Sequence, residues 1–161
     1  NESISRVEEN CRTFYSGLSF DFDVMSHINT YSLRVPSERS CITMVEPFLR
    51  SVDELQSLGP SRFHDLHVAV TEAVNNAIIH AHHCIADIQV HVDIQISPHE
   101  IIVVVRDFGS GFDAESVPDP RLPENLLREG GRGVFLIRHL ADVVEFRRAD
   151  PGMTVMIKYF R

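Results

Sequence analysis

The chain has 161 residues, of which 43% are hydrophobic and 24% charged, enough for one globular domain that buries a core without disulfides or structural metal. It holds no apolar run of about eighteen residues, as a membrane-spanning helix requires, and its formal net charge of −8 argues against direct nucleic-acid binding, which wants a basic face. Cys11, Cys41 and Cys84 are too few and too scattered for a disulfide framework, so a reducing cytoplasm is expected.

Residues 1–28 read as an N-terminal extension or linker, and 29–161 as one domain. Ile4, Val7, Cys11 and Phe14 recur at helical spacing, and Ser16-Gly17 with Asp21 and Asp23 then break the pattern. A packed N-terminal helix and the tail of an upstream domain fit this stretch equally well. The start at Asn1 suggests a trimmed or excised beginning.

From Thr30 the pattern becomes dense. Tyr31, Leu33 and Val35 alternate as a short strand ending at Pro36. Ser37 is placed to cap a helix over 39–58, whose apolar stripe is Ile42, Val45, Leu49, Val52 and Leu55. Gly59-Pro60 closes it, and Ser61 opens a second helix reaching about His82. Ile88, Val90, Val92, Ile94 and Ile96 alternate with polar residues as a half-buried strand. Residues 101–105 are wholly apolar, which suits the middle of a sheet. Residues 112–130, rich in Pro, Asp and Glu, form a long loop of the kind that serves as a lid. A third helix is expected over 132–141, then a hairpin of 143–147 and 154–160 around Asp150-Pro151-Gly152. The expected architecture is an α+β two-layer sandwich, one mixed β-sheet covered on one face by three helices.

Three motifs carry chemistry. In the second helix, Glu72 and Asn76 stand four residues apart and share one face. There the amide oxygen suits Mg²⁺, a hard cation, and the carboxylate can orient or deprotonate a nucleophile; a surface Glu-Asn pair explains the spacing too. Directly after the apolar strand comes Asp107-Phe108-Gly109-Ser110-Gly111. A buried aspartate there could accept from an exocyclic amine such as adenine's, and the glycines let backbone approach a ligand; a plain Asp-Gly turn is the bland alternative. Third, Gly130-Gly131-Arg132-Gly133 precedes Val134-Phe135-Leu136-Ile137. Free N–H groups at that helix start form an anion site, with Arg132 adding a cation; a flexible hinge would look similar.

Together, in this order, the motifs resemble the ATP-binding domain of the GHKL superfamily, and most of all the anti-sigma factor serine kinases of bacterial partner switching. Residues 72–80 resemble that group's N box, Asp107-x-Gly109-x-Gly111 its first glycine box, and Gly131-Arg132-Gly133 with 135–137 and Asp142 its second. The resemblance covers about 30–161 and implies the Bergerat fold. It implies Glu72 as catalytic base and Asn76 as Mg²⁺ ligand. It implies nucleotide contacts from Asn76, Asp107, Gly109, Gly111, Arg128, Gly131, Arg132, Gly133 and Val134, under a lid formed by 112–130. The implied reaction moves the γ-phosphoryl group of ATP to a serine of an anti-anti-sigma (STAS) partner. A sigma factor as second partner, a homodimer and a cytoplasmic location complete the expectation.

Two departures stand out. The chain reads Gly152-Met153-Thr154-Val155 where the family often has Gly-Thr-x-Val, and strand alternation turns Thr154 to the opposite face. Glu129 precedes Gly130 where some members carry an arginine for the γ-phosphate, leaving Arg128 and Arg132 as alternatives. A non-catalytic module that acts by sequestration alone is the other reading. His80, His82, His83 and Cys84 imitate a metal cluster, but zinc sites usually need four well-spaced ligands or three plus water, and histidines also suit a helix end.

Overall fold

The structure, a computed structural model, describes residues 28–110 and 131–161. Five strands form one sheet: β1 (Asn29–Pro36), β2 (Gln89–Ile96), β3 (Glu100–Arg106), β4 (Val143–Arg148) and β5 (Met153–Phe160), in the order β1-β2-β3-β5-β4. The α-helices among the described residues are α1 (Val45–Arg50), α2 (Gly59–Asn76) and α3 (Arg132–Leu140). The two-layer α+β architecture expected from the sequence is what is found.

The sheet is not mixed, because every pairing among the described strands is antiparallel. A strand-helix-strand unit such as β3, α3 and β4 would normally pair in parallel. β3 and β4 do run the same way, but β5 returns between them and pairs antiparallel with both. The apolar strand β3 is central, as its composition requires: Ile101, Ile102, Val103 and Val105 are all buried. Alternation holds in β2, where Val90, Val92, Ile94 and Ile96 are buried and the residues between them are not.

The expected helix over 39–58 is broken into pieces. A 3-10 segment (Arg39–Met44) leads into the short α1, and a second 3-10 segment (Asp53–Leu58) follows. Pro47 has no N–H to continue an α-helical ladder from the preceding turn. Ser51 then folds its hydroxyl back to the Phe48 carbonyl at 2.7 Å, and Val52 turns extended at ψ 97°. The apolar stripe is nonetheless kept, since Val45, Leu49, Val52 and Leu55 all reach the core.

Helix α2 starts at Gly59 with Pro60 in its first turn, two residues before the expected Ser61, because proline suits that position. It inserts Phe63, Leu66, Ala69, Val70, Ala73 and Val74 into the core against the sheet. Its end is unusual. From Ala77 to Ala81 the backbone widens into a π-helical turn, with His82 N–H reaching back to the Ala77 carbonyl at 2.9 Å. Such turns gather at functional sites, and this one begins directly after Asn76.

Candidate nucleotide and phosphoryl-transfer site

Glu72 and Asn76 lie one turn apart at the C-terminal end of α2. The start of α3 is pressed onto the same spot. A Cβ placed on Gly133 would stand 2.8 Å from Glu72 Oε2 and 3.1 Å from both Asn76 amide atoms. Only a residue without a side chain lets the first turn of α3 come so near. Gly131, just before it, takes φ +94°, a left-handed conformation that glycine adopts at little cost. Its carbonyl accepts from Phe135 N–H at 3.2 Å, opening the helix. The N–H groups of Arg132, Gly133 and Val134 therefore precede the first intrahelical donor and stand at the positive end of α3. A carboxylate, an amide oxygen and a helix N-terminus thus converge within one contact distance. Arg132 is exposed and Val134 buried at this turn.

The second cluster forms where β3 ends. Asp107 is only 5% exposed. Its Oδ1 accepts from Gly109 N–H at 3.0 Å and Met153 N–H at 3.2 Å, while its own N–H donates to the Met153 carbonyl at 3.0 Å. Among the described residues Oδ2 accepts no hydrogen bond, so the backbone holds the carboxylate through Oδ1 alone. Two close approaches hold this turn. A Cβ on Gly109 would lie 2.2 Å from the Ala81 carbonyl oxygen, and one on Gly152 would lie 2.1 Å from the Asp107 carbonyl oxygen. The end of the π turn, the exit of β3 and the entry to β5 therefore meet around Asp107.

The structure thus joins Glu72, Asn76 and Gly133 directly, and Asp107 to Gly109. Gly111, Arg128 and the lid segment 112–130 lie outside the described residues. Thr154 pairs with Arg106 and Arg147 across the strands. The helix-facing core takes Val155, Ile157 and Tyr159 instead, so Thr154 does face away. Met153 stands in its place beside Asp107 and contributes its backbone. Asp142 has a supporting task, accepting from Phe160 N–H at 2.7 Å and pairing with Arg62.

Sequence reasoning missed the part played by Ser37 and His82. Ser37 caps nothing, since Glu38 holds the cap position. Its hydroxyl is buried 2.6 Å from His82 Nδ1. His80, His83 and Cys84 are exposed whereas His82 is buried, and the described residues contain no group of three side chains able to hold a metal. No signal in the sequence separates His82 from its neighbours, because the expected α-helix did not include the π turn that His82 follows.

The histidine kinase-like ATPase domain family matches residues 36–159, a span that includes Glu72, Asn76, Asp107, Gly109 and Gly133. The chain belongs to this family. It is 30% identical over 141 residues to the serine-protein kinase RsbW of Oceanobacillus iheyensis, covering 84% of this chain and 89% of that protein. It is 32% identical over 137 residues to the Staphylococcus aureus RsbW, covering 80% and 86%. Among solved structures, the RsbU and RsbW domains of Rv1364c from Mycobacterium tuberculosis superpose with a TM-score of 0.57 at 16% identity, over 83% of this chain and 33% of that one. The SiaB–SiaC complex from Pseudomonas aeruginosa gives 0.58 at 15% identity, over 98% of each chain, a likeness of fold. Within the family the chain stands with the anti-sigma factor serine kinases that its motifs resemble, and it is a protein-serine kinase. ATP is the phosphoryl donor that the family implies. No helix among the described residues is long and apolar enough to cross a membrane.

Proposed function

We propose that this chain transfers the γ-phosphoryl group of ATP to a serine of an anti-anti-sigma (STAS-domain) partner, and that it sequesters a sigma factor when that partner is absent. Residues 29–161 form the kinase domain, 1–28 its extension, and the protein works as a cytoplasmic homodimer. The observation that carries this reading is the approach of Gly133 to both Glu72 and Asn76. It supports the reading because a carboxylate, an amide oxygen and the N-terminus of a helix so close together could serve one triphosphate and the hydroxyl that attacks it.

Phosphoryl transfer depends mainly on positioning and on neutralising charge. Glu72 Oε2 accepts the hydroxyl proton of the incoming serine and aims its oxygen. The N–H groups of Arg132, Gly133 and Val134 bind phosphate oxygens at the positive end of α3, and the side chain of Arg132 or Arg128 adds a cation. Asp107 Oδ2 accepts from the adenine amine while Oδ1 stays locked to Gly109 and Met153; Gly109 and Gly111 shape that pocket. The amide oxygen beside the helix start is the hard kind of ligand that Mg²⁺ prefers, so Asn76 Oδ1 would hold it. Magnesium there would offset the negative charge of the phosphates.

The test is to incubate the protein with Mg-ATP and a cognate anti-anti-sigma protein, then map phosphoserine by mass spectrometry. One new phosphoserine on the partner is expected. Competition between that partner and a sigma factor in sizing chromatography would support sequestration, and a stable ternary complex would contradict it.

A further inference from the structure

His82 belongs to none of the three motifs, yet it is 1% exposed and both ring nitrogens are engaged. Phe108 N–H donates to Nε2 at 2.8 Å. A nitrogen that accepts carries no proton, so in the neutral ring the proton sits on Nδ1, which donates to Ser37 Oγ at 2.6 Å. Phe108 is the residue between Asp107 and Gly109, and Gly109 N–H closes back onto Asp107 Oδ1. One chain of hydrogen bonds therefore runs from the exit of β1, through the imidazole, to the backbone that carries Asp107. The same turn lies against the Ala81 carbonyl, one residue before His82.

We propose that neutral His82 is a positioning residue for nucleotide recognition: it clamps the 107–109 turn onto the end of the π-helical segment so that Asp107 Oδ2 faces the adenine amine. This rests on the reading of Asp107 given above.

The clamp is selective for one protonation state. A proton on Nε2 would set one donor against another at Phe108 N–H and open the turn. Burial lowers the pKa of His82, and the negative charge of Asp107 opposes that in part. From β2, His91 meets the edge of the Phe108 ring; from β3, Arg106 lies over its face, with Arg34 and Asp93 beyond. His83 and Cys84, on the same segment as His82, are exposed. Since the lowered pKa belongs to a base, affinity for ATP is full above the ordinary histidine range and falls as pH drops through the lowered value.

Titration calorimetry with ATP from about pH 8 to about pH 5.5, on the whole chain and three variants, tests this. His82→Gln offers an amide oxygen to Phe108 N–H and takes up no proton. His82→Asn is one atom too short to reach it but still faces Ser37. Near pH 8, His82→Gln should bind ATP within about twofold of wild type, while His82→Asn should lose about three- to tenfold, the value of one hydrogen bond. Toward acid, wild type should weaken more steeply than His82→Gln. Wild-type affinity in His82→Asn, or the same acid loss in His82→Gln as in wild type, would overturn the proposal; if His82→Asn does not fold, the pH profile of His82→Gln decides. Asp107→Asn is the control: unchanged affinity there overturns the adenine site and the clamp together. A loss there with none in His82→Asn overturns the clamp alone.

Discussion

Replacing Gly133 with alanine sets stability and activity against each other. Gly133 is a helical residue without a positive φ, so alanine should suit the backbone better by about 0.5–1 kcal/mol. The new methyl, however, would stand 2.8 Å from Glu72 Oε2 and 3.1 Å from both amide atoms of Asn76, roughly half an ångström inside ordinary contact. Those neighbours are the ends of flexible side chains, so they can swing aside at little cost to folding. They are also the groups proposed to hold the nucleophile and the metal, and a displacement near 1 Å at a reacting centre can cost about 10²-fold in rate. Gly133→Ala should therefore melt at or slightly above the wild-type temperature while phosphoserine formation falls about ten- to a hundredfold. Thermal melts and initial rates on one preparation measure both. A variant that phosphorylates at the wild-type rate would refute the convergence of α3 on Glu72 and Asn76.

Gly109→Ala should behave in the opposite way. Its Cβ meets the backbone of Ala81 at 2.2 Å, which no side-chain motion relieves, so a stability loss of about 1–3 kcal/mol is expected in urea unfolding; an unchanged midpoint would contradict the close approach. Asn76→Ala removes the proposed metal ligand and should weaken ATP binding in the presence of Mg²⁺ by roughly tenfold, with little change when EDTA is present. Equal losses in both conditions would argue for a role in shape alone. For His91, burial and then the charge of Arg34 push the pKa down to about 4. A base with a lowered folded pKa gives full stability above about pH 6.5 and loses it as pH falls from there through about 4. After allowance for solvent screening the loss is about 1–2 kcal/mol, and His91→Gln should remove that part of the slope in urea midpoints taken across the range.

The periodic elements were legible in the chain. Strict alternation in 88–96 and the unbroken apolar run of 101–105 place β2 and the central strand β3, because burial on one or both faces leaves a direct trace in residue type. Glu72 and Asn76 were legible through their spacing, and Asp107 through its place at a strand end. The break near Pro47 was missed because the apolar stripe of 39–58 survives it, so a helical period persists through non-helical turns. The antiparallel sheet was missed because β5 comes last in sequence yet returns between β3 and β4. Ser37 and His82 were misread for one shared reason: each is the other's partner from 45 residues away, a distance that no local pattern spans.

The central claim is that one face of α2 divides catalysis from binding, and Glu72→Gln tests it most directly. The substitution keeps the shape beside Gly133 and removes the base, so phosphoserine formation on the anti-anti-sigma partner should fall about 10²–10⁴-fold with affinity for Mg-ATP nearly unchanged. Phosphorylation at the wild-type rate by the Glu72→Gln protein would contradict the account.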